Sequence, residues 1–124
     1  MGKIIFLFFF LIYDLHFIQS TGEVIDFMIQ QNLKDVKGKK INEGLILTDV
    51  INENNTTLVY VSTAENKEYA DFYKNNQSKS SLINQSPNAL SKTAVKYNII
   101  VKWKYYFNND KILELTVHPR EWNK

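Results

Sequence analysis

The chain contains no cysteine among its 124 residues, and this absence excludes several kinds of chemistry at once. Disulfide bonds, thiolate nucleophiles, cysteine-ligated zinc and the lipid anchor of a bacterial lipoprotein all require a thiol. The folded part of the protein must therefore be stabilised by its hydrophobic core. Such a core is sufficient for a domain of roughly 100 residues, although the stability that it provides is modest.

Histidine and glycine are also scarce, with two histidines and four glycines in the whole chain. His16 lies in the apolar N-terminal segment, so His118 is the only histidine in the remainder. One imidazole cannot build a His-rich metal site, and a Ser-His-Asp arrangement would depend on it alone. Neither a glycine-rich phosphate loop nor a nucleophile elbow occurs in the sequence. We therefore predict no metal and no cofactor.

The first 20 residues have the pattern of a secretory signal peptide. Lys3 precedes an apolar run over residues 4–13, and small residues surround position 20. This run of about ten residues is well short of the ~20 that a membrane-spanning helix needs. We predict residues 1–20 as a signal peptide and a secreted or periplasmic protein with no transmembrane span after cleavage. An uncleaved amphipathic anchor stays open, because Ile18 is larger than the residue preferred three positions before the cut.

The strongest pattern lies over residues 98–119 and predicts a β-hairpin. Apolar or aromatic residues alternate with polar ones on both sides of a break at Asn108, Asn109 and Asp110, as in half-buried strands. The odd-numbered positions are apolar or aromatic: Ile99, Val101, Trp103, Tyr105 and Phe107 before the break, and Leu113, Leu115 and Val117 after it.

The length of the turn decides which side chains of this hairpin lie opposite each other. A loop of three or five residues pairs Trp103 with Leu115 on one face and Lys104 with Glu114 on the other, and likewise Tyr105 with Leu113, Val101 with Val117 and Lys102 with Thr116. A loop of two or four residues would pair odd with even positions and mix the two faces. We therefore predict an odd loop, a type I turn followed by a left-handed residue at Asp110.

Four further elements follow from the same kind of reading. Residues 21–36 form an apolar-striped helix that Thr21 caps and Gly38 ends. Residues 45–51 and 57–63 form a hairpin around Asn54 and Asn55, whose register the weak alternation leaves open. Two more helices cover residues 64–76 and a segment that starts at Ser86 and Pro87, with a loop over residues 77–81 between them.

These elements predict an α+β fold with a four-stranded, mainly antiparallel sheet of two β-hairpins and helices packed on one face, after the N-terminal signal segment. We expect residues 21–124 to form a single domain. The combination of Thr57 to Tyr60, two short helices, Tyr97, Trp103 to Tyr106 and the turn at Asn109 resembles small exported bacterial proteins of uncharacterised function. The resemblance covers residues 38–119 and implies the layout of the fold, but no catalytic residue.

Nucleic acid is not an expected partner. The excess of positive charge is small, since 15 Lys and Arg against 13 Asp and Glu give a net charge of +2. The run from Lys102 to Tyr106 mixes basic and aromatic residues, but the alternation places Trp103 and Tyr105 on the side opposite to the lysines. Only Tyr106 remains beside the lysines, which is too little for a base-stacking platform.

The even-numbered face of the C-terminal hairpin is the candidate binding surface. It consists of Ile100, Lys102, Lys104, Tyr106, Ile112, Glu114, Thr116 and His118. Three of these residues are larger and more apolar than a solvated face requires, and their mixture with charges is typical of protein-interaction surfaces. We predict an exported, non-enzymatic binding or accessory protein of the cell envelope that contacts a protein partner through this outer face.

A second class of function stays open. His118 is a possible general base beside Glu121, so the alternative is a small hydrolase or a ligand-binding domain that uses His118 with a nearby carboxylate. A histidine at a strand end just before Pro119 is, however, ordinary at a solvent-facing position. A deep pocket converging on His118 would favour this alternative.

Overall fold

The computed structural model describes residues 20–122, except for the side chain of Asn32, and has an α+β fold. The predicted signal peptide therefore lies outside the described residues, apart from Ser20. The α-helices of the described part are α1 Thr21–Met28, α2 Lys67–Asn76, α3 Lys79–Gln85 and α4 Asn88–Lys96. The strands are β1 Lys40–Asn42, β2 Leu45–Glu53, β3 Thr57–Ala64, β4 Ile100–Phe107 and β5 Asp110–Val117.

The sheet has five strands in the order β1-β2-β3-β4-β5, and it is mixed. All neighbours are antiparallel except the central pair β3 and β4, which run parallel. The prediction of an α+β fold built from two hairpins is confirmed. The predicted number of four strands is wrong, because the sheet has five, and its central pair is parallel. The short strand β1 carries little pattern. The long connection over residues 65–99 holds three helices, and a crossover of this length lets the second hairpin join the first in parallel.

The N-cap of helix α1 is Ser20, one residue before the predicted cap. The Ser20 hydroxyl accepts a hydrogen bond from the Glu23 backbone N–H at 3.2 Å and donates to the Glu23 carboxylate at 2.8 Å. The predicted cap, Thr21, donates its hydroxyl instead to the Tyr97 carbonyl at 2.7 Å. After α1 the chain forms a π-helical turn over Ile29–Leu33. The predicted helix over residues 21–36 is therefore too long, and Gly38, whose φ is 85°, lies five residues beyond the π-helical turn instead of directly after a helix.

The three helices between β3 and β4 differ from the prediction in their boundaries. Helix α2 begins at Lys67 instead of residue 64, capped by Asn66. Helix α3 includes part of the predicted loop 77–81, and the Ser78 side chain caps it. The pattern of α3 is weak because Leu82 is its only fully buried residue. Helix α4 has Pro87 as its N-cap, one residue after the predicted cap.

The hairpin of β4 and β5 has the predicted pairing but not the predicted turn. Trp103 lies opposite Leu115 and Lys104 opposite Glu114, and the other predicted pairs are also present. The loop, however, has two residues, Asn108 and Asn109, with φ of 48° and 67°. Positive φ at both positions is the mark of a type I′ turn. A β-bulge between this turn and the Tyr105–Leu113 pair restores the parity that we attributed to an odd loop.

The first hairpin turns at Asn54 and Asn55, as predicted, and both have positive φ. Its register, which the sequence left open, places Val50 opposite Tyr60, with a bulge between Leu47 and Asp49. The turn packs closely on α1: a Cβ atom at Gly22 would lie 2.5 to 2.7 Å from Asn55 side-chain atoms. A residue without a side chain is therefore required at position 22.

The core lies between the helices and one face of the sheet. Trp103 and Tyr105 are each 2% exposed, which confirms that the odd positions of β4 face inward. Trp103 packs against Tyr60 with ring centroids 5.7 Å apart, and Tyr105 stacks on Tyr73 of α2 at 6.0 Å. Aromatic side chains of this size bury a large apolar area, so these contacts connect the central strands to the helical layer.

The turn of the second hairpin gives a test of the fold. We expect Asn109→Ala to be less stable than Asn109→Gly by about 1 kcal/mol, because a side chain is strained at positive φ and glycine is not. At Lys74, an exposed position of α2, the order should reverse, with Ala more stable than Gly by up to about 1 kcal/mol. Urea unfolding midpoints measure both differences. Equal stability of the two Asn109 variants would contradict the left-handed turn.

Candidate interaction surface

The face of the sheet that points away from the helices forms a continuous surface, which we call the open face. Val59 on the central strand lies beside Ile51 of β2 and Lys102 of β4, and Lys102 lies beside Thr116 of β5. Directly opposite residues point to the same side of a sheet, so the surface extends over four strands. The open face consists of Ile51, Glu53, Thr57, Val59, Val61, Ile100, Lys102, Lys104, Tyr106, Glu114 and Thr116.

A carboxylate shared by two lysines lies at the centre of the open face. Glu53 Oε1 is 2.8 Å from Lys102 Nζ, and Glu53 Oε2 is 3.6 Å from Lys104 Nζ. Glu53 is on β2 and the lysines are on β4, so the three side chains together span β3. Apolar lysine stems cover neighbouring surface. This arrangement explains why Val59 is only 1% exposed although it faces away from the helices.

The carboxylate of Glu53 and the ammonium group of Lys102 each stabilise the charged form of the other. The hydrogen bond from Lys102 lowers the pKa of Glu53, and the charges of Lys102 and Lys104 add to this effect. The same hydrogen bond raises the pKa of Lys102. Partial burial opposes both shifts, since the lysine side chains are only 20% and 23% exposed. Glu53 and Lys102 are therefore both charged at neutral pH.

Glu114 has a different ion-pair partner from the one that the register suggests. It lies opposite Lys104, as predicted, but its carboxylate is 3.0 Å from Lys111 Nζ. The hydrogen bond from Lys111 is the main cause of the lowered pKa of Glu114. Lys104 instead reaches across the sheet toward Glu53. Register fixes the positions of the Cα atoms, whereas long side chains select among several carboxylates within reach.

Ile112 does not belong to the open face. It is the extra residue of the β-bulge, and it packs, half-buried, against the hydrophobic core. A bulge places two successive residues toward the same side of the sheet, so Ile112 follows Leu113 toward the helices. Its predicted place on the outer face is therefore wrong.

His118 lies just beyond the end of β5, in the turn that leads to a 3₁₀ helix over Pro119–Glu121. Its backbone N–H donates to Glu121 Oε1 at 2.8 Å. The other carboxylate oxygen of Glu121 accepts a hydrogen bond from Lys79 of α3 at 2.8 Å. Lys79 first, and then the His118 backbone, lower the pKa of Glu121. Glu121 thus closes a turn and connects it to α3.

The structure brings six of the eight predicted residues together: Ile100, Lys102, Lys104, Tyr106, Glu114 and Thr116. Sequence reasoning missed Glu53 and Ile51, which the neighbouring hairpin contributes. Ile51 is 41% exposed, an unusual value for a large apolar side chain. Period-two alternation in β2 would have identified both residues, but the bulge between Leu47 and Asp49 interrupts it.

Within residues 20–122, no three His, Asp or Glu side chains lie close enough together to hold a metal ion. None of the helices in the described part of the chain is long and apolar enough to cross a membrane.

Comparison of the chain with protein-family models, with curated proteins and with solved structures found no match. The resemblance to small exported bacterial proteins therefore stays a prediction.

The shared carboxylate gives a test with a defined pH dependence. We expect Glu53→Gln to lower the free energy of unfolding near neutral pH by about 1 kcal/mol, a modest value because Glu53 is one-third exposed to water. Since the pKa of Glu53 is lowered from 4.5 in the folded state, its contribution is present above pH 4.5 and is lost as the pH falls through the lowered folded value.

Urea unfolding near neutral pH and near pH 3 measures this dependence. The difference between the wild type and Glu53→Gln should be smaller at the acidic pH. Asp35→Asn, which neutralises an exposed carboxylate outside the open face, should have little effect at either pH. An equal loss at both pH values in Glu53→Gln would mean that packing, and not charge, stabilises the site.

Proposed function

We propose that the protein is an exported, non-enzymatic binding or accessory protein of the cell envelope, and that the open face contacts its protein partner. One observation carries the proposal: helices cover one side of the sheet, whereas the other side has an exposed Ile51 and the partly buried Ile100 and Tyr106 around the Glu53 ion pairs. An apolar patch with charges on an uncovered sheet is a common form of interaction surface.

The ion pairs support this role because they order the surface before binding. Lys102 and Lys104 are long side chains that would otherwise lose rotamer freedom when a partner arrives. Their contacts with Glu53 already restrict them, so less entropy is lost on association. The mixed charges favour selection of one partner over another more than they add affinity.

Export rests on the N-terminal segment, whose single lysine and apolar run match a secretory signal. The alternative centred on His118 has less support. The carboxylate expected to assist His118 belongs to Glu121, which already accepts hydrogen bonds from Lys79 and from a backbone N–H.

The absence of cysteine permits a sharp test by site-specific cross-linking. Tyr106→Cys gives the protein one thiol on the open face, to which a photoreactive group is attached before illumination in the cell envelope. Val95→Cys is the control, because Val95 is an exposed apolar residue that lies on α4 and not on the open face. We expect a discrete cross-linked product from position 106 and none of that mass from position 95.

A second substitution shows whether the product reports binding. Lys104→Glu in the Tyr106→Cys protein reverses a charge at the centre of the open face, and it should reduce the cross-linked product several-fold. Circular dichroism checks that this variant is folded. If position 106 gives no product, or if positions 95 and 106 give the same one, the open face is not the binding surface.

A further inference from the structure

A groove lies in the helical layer, on α4 beside Trp122, and none of its lining residues belongs to the open face. Its volume is about 350 Å³, and its lining residues are Ser91, Lys92, Val95, Lys96 and Trp122. This volume is at the lower end of the range for small-molecule sites. None of these lining residues carries a negative charge.

Two uncompensated positive charges line the groove. Lys92 and Lys96 are four residues apart and therefore lie on the same side of α4. Within residues 20–122, neither ammonium group has a carboxylate within salt-bridge distance, and Lys96 Nζ lies 5.2 Å from the centre of the Tyr97 ring. Lys102 and Lys104 of the open face, by contrast, share the carboxylate of Glu53. The groove is electrostatically suited to an anion.

Trp122 also lines the groove, and its indole N–H is a hydrogen-bond donor that lies buried below the surface. Its side chain is 8% exposed, and its indole Nε1–H is buried without an acceptor among the described residues. A buried donor without a partner is unfavourable, so an acceptor supplied by a ligand would relieve it. The indole packs edge-on against Trp103 at 6.4 Å, which anchors it to the core.

The other two lining residues, Val95 and Ser91, indicate which further groups a ligand would carry. Val95 is 53% exposed, the higher of the two values for exposed large apolar side chains among the described residues. Burial of this side chain favours a ligand with an apolar part. Ser91 already donates its hydroxyl to the Asn88 carbonyl at 3.0 Å, so it offers an acceptor and no further donor.

From these observations we infer that the groove binds a small amphipathic carboxylate. The carboxylate lies between Lys92 and Lys96, one oxygen accepts the Trp122 indole N–H after a small opening of the groove, and the apolar part covers Val95. At ~30 Å³ for each water molecule, the volume of the groove corresponds to about a dozen waters. Octanoate has the appropriate size and charge to serve as a probe. This inference is independent of a partner at the open face.

The test uses the two indole N–H signals of the purified protein in ¹H–¹⁵N NMR spectra, since the chain has only two tryptophans. Trp122→Phe identifies the signal of Trp122 by its loss. On titration with sodium octanoate, the Trp122 signal should move downfield and saturate, while the Trp103 signal stays nearly constant. A shift that does not saturate, or one confined to Trp103, overturns the inference.

Variants and ligand analogues test each part of the site. Lys92→Gln and Lys96→Gln should each weaken octanoate binding about two- to fivefold, and the double variant about tenfold. Lys74→Gln, at an exposed lysine of α2 outside the groove, should bind as the wild type does. These three lysines are exposed, so all four variants should keep the wild-type spectrum elsewhere.

1-Octanol, which has the chain but no charge, should bind at least about tenfold more weakly than octanoate. Acetate, which has the charge but almost no chain, should also bind more weakly. Equal binding of octanoate and octanol, or unchanged binding in the double lysine variant, shows that the groove does not recognise a carboxylate. Equal binding of acetate shows that Val95 has no role.

Discussion

The alternation of side chains along β4 is the constraint on which the rest of the structure depends. Trp103 points into the core and packs against Tyr60, whereas Lys102 points to the open face and binds Glu53. A shift of one residue would bury the lysines and expose the aromatic rings, at a large cost in free energy. Pairing with β3 on one side and β5 on the other holds this register.

Both candidate sites are attached to this strand, but from opposite sides. The open face takes its central charges from the even positions of β4. The groove on α4 is connected to the odd positions, because Trp122 packs on Trp103. A rigid strand therefore supports two surfaces of different chemistry. One is broad, with paired charges, and suits a protein, whereas the other is small, with unpaired lysines, and suits an anion.

In the second hairpin the predicted strand pairing is correct, but the turn that produces it differs from the predicted one. The pairing of Trp103 with Leu115 follows from matching the two apolar faces, and this energetic requirement holds whichever turn closes the hairpin. A three-residue loop and a two-residue loop with one bulge give the same parity beyond the bulge. Alternation in the sequence cannot distinguish these two loops. For this reason the predicted places of Ile112 on the outer face and of Asp110 in the turn are both wrong.

The sequence by itself determined the inward face of β4 and the positions of the two asparagine turns. Each of these depends on a few neighbouring residues, through side-chain period or through tolerance of positive φ. Only the tertiary structure decided the parallel pairing of β3 with β4, and this pairing brings Glu53 within reach of Lys102 and Lys104. The direction in which β4 joins β3 depends on how the three helices of residues 65–99 pack against the sheet. No pattern of neighbouring residues in the sequence predicts this packing.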